Sequence, residues 1–363
     1  MVKKLIQKVT KQELSNQFQK RLQSRNLVTN FRKGIIMNKL KISVIGTGHL
    51  GSIHTKLWKQ LSEAELVGIY DSDLEKAESI AIQEKCNNFT TIDEAIESSD
   101  ALTIAVPTSL HFEIAMKCLQ RGKHCLIEKP ITSTYTEAKN LIEEAKKNHA
   151  LIQVGHVERF NPAISALKNY KLNPLFIEAH RLSQFQPRAI DVSVIHDLMI
   201  HDIDIVLWMI KSHVKSIDAN GVGVVTDTTD IANARIKFEN GAVANLTASR
   251  ISASPMRKMR LFQPNAYISI DFGKQDVEVF RLLDENEEPP DSSIPATMLG
   301  KLDAGLKNKR IYYEKPPIPQ INAIAEEQKA FVEAIISNSP VPVGAEEAAN
   351  ALRIADEINK QIE

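Results

Sequence analysis

Three short segments of the 363-residue sequence carry residue types that can do chemistry together. The loop Gly46-Thr47-Gly48-His49-Leu50-Gly51 can cradle a phosphate. Glu128-Lys129-Pro130 sets a lysine beside a carboxylate. Residues 196–204, HDLMIHDID, interleave imidazoles with carboxylates. Asp197 and His201 stand four apart and Asp204 three further on, so a helix would put them on one face. A carboxylate beside an imidazole orients it and raises its basicity. Unperturbed histidine titrates near pH 6.5, about where a general base is needed, whereas lysine would need a shift of several units. Base work therefore falls first to His201. Lys129 is a proton donor or an electrostatic anchor, since Pro130 holds it in an extended turn. A metal site from His196, Asp197, His201 and Asp202 is disfavoured. The two histidines are five apart, roughly 140° around a helix, and no metal is expected.

The glycine loop follows a strand pattern and opens a helical one, the context that gives this weak motif its force. Gly46 allows the tight turn, Gly48 lets a pyrophosphate approach, and Gly51 lets helix and strand pack closely. His49 and Leu50 begin the helix whose free N–H groups meet the phosphate. Asp71 ends the next strand pattern, 20 residues past Gly51, where an acid accepts from ribose hydroxyls. Ser72, Asp73 and Leu74 follow with no cation, favouring NAD over NADP. The chemistry implied is hydride transfer.

These segments need a frame. Strand patterns at 40–46, 65–71, 101–107, 124–130 and 150–156 are apolar throughout, as in parallel strands covered on both faces. Amphipathic stretches separate them, around 50–61, 73–85, 109–121 and 134–148. This repetition implies an α/β fold, a doubly wound Rossmann sheet over 38–156. Residues 157–340 should form an α+β domain with an open, largely antiparallel sheet. Its elements are a helix near 160–169, a strand at 174–182, a helix at 195–211 and serial strands to 283. Residues 284–320, rich in Pro, Asp, Glu and Ser, read as a long surface excursion. Helices close the chain at 322–336 and 344–361, and 341–363 is taken as a C-terminal helix.

Composition narrows the partners. Hydrophobic residues are 43% and charged residues 25%, the balance of a water-soluble globular protein. No apolar run reaches the ~18 residues of a membrane span. Formal charge is zero but uneven. Residues 1–36 hold nine Lys/Arg against Glu13 alone, a net +8, which leaves −8 for the remainder. An acidic body argues against nucleic acid. The basic leader 1–37 is expected to be dispensable, or to precede the functional start at Met37. Cys86, Cys118 and Cys125 form no disulfide or metal pattern, which fits a reducing cytoplasm.

The loop GTGHLG, Asp71, EKP at 128–130 and D-x-x-x-H-D at 197–202 together resemble the Gfo/Idh/MocA oxidoreductases. The resemblance runs from residue 38 to 363 and includes FVEAIISNSPVPVGAEEAANALRIADEI at 331–358. It implies that Lys129, Asp197 and His201 match the catalytic positions, and that Glu128 and Pro130 match positions near the nicotinamide. It also implies a sheet that commonly mediates oligomers, so a homo-oligomer is expected. Pro107, Thr108 and His111 are expected at the cofactor, in a loop where the family often has T-P-N-x-x-H, and here the Asn is missing. GHVERFNPA at 155–163 resembles the branch acting on nucleotide sugars, which implies UDP-N-acetylglucosamine, oxidised at C3, as substrate. Arg159 and Asn161 would then lie near it, with Arg181 and Arg188 as further candidates, because a diphosphate suits arginine's planar fork. The alternative for Arg159 is a salt bridge at the domain seam. Alternatives for the whole chain are a dehydrogenase of a free polyol, inositol or sugar, and a non-catalytic dinucleotide-binding regulator.

Overall fold

A computed structural model describes residues 39–187, 192–287, 294–304 and 307–363. The basic leader lies outside the described residues. Six strands form a parallel sheet: β1 (Leu40–Ile45), β2 (Ala64–Tyr70), β3 (Asn87–Asn88), β4 (Ala101–Ile104), β5 (His124–Glu128) and β6 (Ile152–Gly155). Their spatial order is β3-β2-β1-β4-β5-β6, the doubly wound Rossmann order. Helices α1 (His49–Trp58), α2 (Leu74–Glu84), α3 (Ile92–Glu97), α4 (His111–Gln120) and α5 (Tyr135–Lys147) connect them. Local chemistry sets several boundaries. Thr91 with Glu94 and Thr134 with Glu137 close capping boxes that start α3 and α5. A left-handed Lys85 ends α2.

A second sheet of nine strands follows, ordered β14-β15-β13-β12-β11-β7-β10-β9-β8. Its members are β7 (Phe176–Leu182), β8 (Val214–Val222), β9 (Ile231–Phe238), β10 (Val243–Ser249), β11 (Met256–Gln263), β12 (Ala266–Asp271), β13 (Asp276–Asp284), β14 (Ala296–Ala304) and β15 (Lys307–Glu314). Among the described strands of this sheet, only β7 and β10 pair in parallel. One face packs on helix α7 (Ile200–Ile210), and alternate residues of β7, β9 and β12 point away from that core.

Three sequence expectations change here. The excursion at 284–320 contains the β14–β15 hairpin, which extends the sheet beside β13. Pro and acidic residues around 284–294 hid the alternation in KNKRIYYE, whose Glu314 is clamped by Arg281 at 2.6 Å. The helix near 160–169 is only a 3-10 turn, Val157–Phe160, and the single turn α6 (Pro162–Ser165). The helix at 195–211 begins as a π-helical turn, Ile195–Met199.

The chain then returns to the first sheet. Helix α8 (Ala323–Ser337) buries Phe331 and Val332 in the cluster of Ile42, Val44 and Trp58. Helix α9 (Ala345–Ile362) serves both cores. Ala348, Ala349 and Leu352 join the parallel-sheet core, while Ala351, Ile354, Ala355 and Ile358 join the core of the second sheet. Helical spacing alone makes two such stripes possible on one helix.

Candidate active site

The glycine loop closes the end of β1. Gly46 has φ +89°, and a Cβ there would sit 2.6 Å from the Ala105 carbonyl oxygen. A Cβ on Gly51 would lie 1.8 Å from the Gly46 oxygen, whereas one on Gly48 would meet nothing within 4 Å. The first two glycines are thus demanded by packing, and Gly48 fronts open space. Gly48 also caps α1 without any side-chain hydrogen bond, and the first turn holds no acid. His49 and Leu50 are exposed there. Free N–H groups and an open approach fit a pyrophosphate.

Asp71 follows β2, facing this loop. Its carboxylate accepts from the Thr47 amide at 2.5 Å, the Thr47 hydroxyl at 2.8 Å and the Asp73 amide at 3.0 Å. Burial alone would raise its pKa, but these donors outweigh burial and lower it. Asp71 therefore clamps the loop and keeps an ionised carboxylate at its rim.

Beyond β4 and β5 opens a crevice of about 770 Å³, with Pro107, Thr108, Pro130 and Thr132 on one side and His196 and Asp356 on the other. His111, expected at the cofactor, is buried instead. Its ring nitrogens lie 2.9 Å from the Pro130 and Val106 carbonyl oxygens. The ring joins the loops after β4 and β5, and burial pushes its pKa down.

Lys129 directly follows β5 and points at the π-helical turn. Its ammonium donates to the Asp197 carbonyl oxygen at 2.7 Å and lies 3.7 Å from the Asp197 carboxylate. Burial lowers its pKa, while Asp197 and Glu128 oppose that shift. His201 stands on the first turn of α7, its ring edge-on to His156 at 6.5 Å between centroids. The expected carboxylate beside His201 is not there. Asp197 faces Lys129, and Asp204 is taken by Arg159. The i,i+4 argument assumed regular α-helix, and the π turn changes the rotation per residue. Burial drives the His201 pKa well below its ordinary value, with the charges of Lys129 and Arg181 adding to it. His201 is therefore neutral at physiological pH, with Nδ1 buried and unpartnered. His196 turns away to Asp356 at 2.8 Å.

The arginines beneath the site are spent on carboxylates. Arg159 donates to Asp204 through Nε at 2.7 Å and Nη2 at 2.6 Å, and to Glu347 through Nη1 at 2.7 Å. Its side chain is 5% exposed, so the structure forms the seam salt bridge that was the second reading of this arginine. Asn161 is the N-cap of α6, accepting from Ala163 at 3.0 Å. Its amide nitrogen donates to Glu158 at 2.9 Å and to the Phe272 carbonyl oxygen at 3.3 Å, so both of its N–H groups are engaged within the protein. Arg181 grips Asp202 at 3.0 and 2.9 Å and Glu158 at 2.9 Å. Arg188 lies outside the described residues. Because α7 is buried on both sides, Asp202 and Asp204 each need a cation.

Sequence reading missed one cluster altogether. His54 on α1 donates to the Glu128 carboxylate at 2.8 Å, and Gln328 on α8 donates to His54 Nδ1 at 3.0 Å. The signal available was a histidine inside the helix of the glycine loop. Gln328, 274 residues away, gave none. Arg257 was missed as well. It pairs in register with Arg181 and adds its charge near His201.

Comparison with known proteins fits this frame. Residues 40–156 match the model of an oxidoreductase family with an NAD-binding Rossmann fold, and residues 166–269 match the GFO/IDH/MocA C-terminal domain. A UDP-N-acetylglucosamine 3-dehydrogenase of Acidithiobacillus ferrooxidans is 40% identical over 245 residues, 67% of this chain and 78% of that protein. Its solved structure superposes with TM-score 0.79 at 33% identity, covering 90% of this chain and 98% of that one. A myo-inositol 2-dehydrogenase of Thermotoga maritima is 24% identical, covering 89% of this chain and 96% of its own.

Proposed function

The chain belongs to the Gfo/Idh/MocA oxidoreductases, and from that premise we propose that it oxidises a ring hydroxyl of a nucleotide sugar. The substrate we infer is UDP-N-acetylglucosamine, oxidised at C3 to the ketone, with NAD as hydride acceptor. The observation that carries this reading is Lys129, held 2.7 Å from the Asp197 backbone at the carboxyl end of β5, beside a half-buried neutral His201. A nicotinamide bound there supplies the hydride acceptor, and the protein supplies position and charge. His201 takes the hydroxyl proton as the C–H electron pair leaves the same carbon. The Lys129 ammonium stabilises the alkoxide as it develops, and Asp197 holds that ammonium in place. Gly46, Gly48 and Gly51 shape the pyrophosphate cradle. Asp71, still ionised and followed by no cation at 72–74, supports NAD over NADP. Likeness to the Acidithiobacillus ferrooxidans enzyme supports the nucleotide sugar. A regulator without activity would not need the Lys129, Asp197 and His201 set.

The assay is formation of reduced nicotinamide from UDP-N-acetylglucosamine, free N-acetylglucosamine or myo-inositol, each with NAD and NADP. Turnover of the nucleotide sugar with NAD is expected. Faster turnover of myo-inositol, or a preference for NADP, would overturn the substrate or the cofactor assignment respectively.

We further propose a homo-oligomer formed through the open face of the nine-stranded sheet. Phe176, Phe262, Tyr267, Phe280 and Tyr313 run across it as one aromatic file, with neighbouring ring centroids 5.0 to 5.7 Å apart. Phe262 is 40% exposed. Apolar surface laid out over five strands marks an interface. Sedimentation of the Phe262→Lys/Phe280→Lys double variant should show a smaller species than wild type; a monomeric wild type would refute the interface. Among the described residues no helix is long and apolar enough to cross a membrane. With three unpaired cysteines, our reading places the enzyme in the cytoplasm, acting on small molecules rather than nucleic acid.

A further inference from the structure

The cluster that sequence reading missed occupies a telling place. Glu128 is the last residue of β5. In a doubly wound sheet, ligands bind beyond the carboxyl ends of the strands, and each half takes one mononucleotide. The pyrophosphate cradle lies at β1, so β4, β5 and β6 form the half that receives the nicotinamide. Glu128 therefore stands at the carboxyl end of that half, with a side chain only 14% exposed.

The cluster reads as a chain of directed hydrogen bonds. A Gln328 amide nitrogen can only donate. It donates to His54 Nδ1 at 3.0 Å and to the His54 carbonyl oxygen at 3.1 Å. Nδ1 must then carry a lone pair, so the His54 proton is on Nε2. That proton points at the Glu128 carboxylate, 2.8 Å away. The other Glu128 oxygen accepts from the Lys129 amide at 3.3 Å. A glycine at 155 makes room, since a Cβ there would lie 2.8 Å from that oxygen. His54 and Gln328 are each 1% exposed, so bulk water does not redirect the chain.

We propose that the Gln328–His54–Glu128 chain fixes a carboxylate charge in the nicotinamide half of the crevice, and so makes the protein bind oxidised NAD more tightly than NADH. The proposal rests on the cofactor reading above. Oxidised nicotinamide carries a positive charge and reduced nicotinamide none, so a buried anion separates the two forms by its Coulomb attraction. The groups facing Glu128 are His54 from α1, Lys129 beside it, His111 from α4, His156 after β6 and Glu327 from α8. Burial and then the Glu128 charge push the Glu327 carboxyl well above its ordinary range. Among the facing groups Lys129 carries the opposing charge, and its ammonium is engaged by Asp197, donating to the carbonyl oxygen at 2.7 Å and lying 3.7 Å from the carboxylate. Burial favours the neutral form of Glu128 too, but the His54 hydrogen bond and the charges beside it prevail and lower its pKa. A purely structural cluster would affect both cofactor forms alike.

The test is titration of the full-length protein with NAD and with NADH, without substrate, by calorimetry. Glu128→Gln and Gln328→Leu preserve side-chain volume. Glu128→Gln should weaken NAD relative to NADH by roughly tenfold, the scale of one screened charge at this range. Gln328→Leu should shift the ratio in the same direction by a smaller factor. An unchanged ratio in Glu128→Gln overturns the proposal. So does a Gln328→Leu protein that weakens both forms equally. A second measurement needs no variant. Nitrogen NMR of labelled wild-type protein should show His54 neutral and protonated on Nε2; an Nδ1–H tautomer or an imidazolium removes the mechanism. Wild-type protein that binds neither form would overturn the cofactor reading itself, a result distinct from binding with an unshifted ratio.

Discussion

Lys129→Met should lower kcat by about a thousandfold while NAD still binds, since one preorganised donor to a developing oxyanion is worth ~10²–10³ in rate. Methionine keeps most of the side-chain volume and removes the charge. The protein should fold, because the Asp197 carboxylate left behind is 35% exposed and can be hydrated. The variant also makes a prediction about pH. Burial is the main cause of the depressed His201 pKa, and the Lys129 charge comes next. Removing that charge raises the His201 pKa. A base must be unprotonated to act, so the acidic limb of the residual rate profile should move to higher pH. Loss of less than tenfold in kcat, or an acidic limb that stays put, would dismiss the roles assigned to this pair. Single-turnover formation of reduced nicotinamide against pH reads both quantities.

Arg159→Met should destabilise the protein by about 3–5 kcal/mol, the usual cost of leaving one member of a buried ion pair uncompensated. Asp204 is 1% exposed and receives two of the arginine's donors. Without them it is a bare carboxylate inside the core. Replacing both residues, in Arg159→Met/Asp204→Leu, should restore most of the loss, because the penalty belongs to the unpaired charge. Urea unfolding midpoints measure this. If Arg159 touched substrate instead, the single variant would raise KM and leave the midpoint where it was. The two readings of this arginine, both open from sequence, thus give opposite results.

Arg159 shows why part of the site was hidden. Its carboxylate partners lie 45 and 188 residues along the chain. No spacing rule reaches that far. The same holds for Arg181 and for Gln328. By contrast, the glycine loop was legible because its demands are local: a positive φ at Gly46 and a close approach at Gly51 exclude other side chains there. Asp71 was legible by position, but not its bond to Thr47. Lys129 was legible through Pro130 and its place after a strand. Asp197 and His201 were legible as a pair of types, not as a geometry, because a π turn is invisible in residue order. The strands of the first sheet other than the two-residue β3, and the serial strands up to residue 283, followed from apolar runs and alternation. Strands β14 and β15 escaped because a polar, proline-bearing stretch precedes them.

Helix α9 and helix α8 before it also bear on the order of events at the ribosome. The first sheet is synthesised early, yet Phe331, Val332 and Leu352 that finish its two cores come from the far side of the second sheet. The nascent Rossmann half therefore waits with apolar surface uncovered until nearly the whole chain has emerged. Most multidomain chains complete their first domain before the next. Here completion of the first sheet's cores is deferred until α8 and α9 arrive. A ribosome stalled before Ala323 should hold a chain that recruits chaperones, while one released past Ile362 should not.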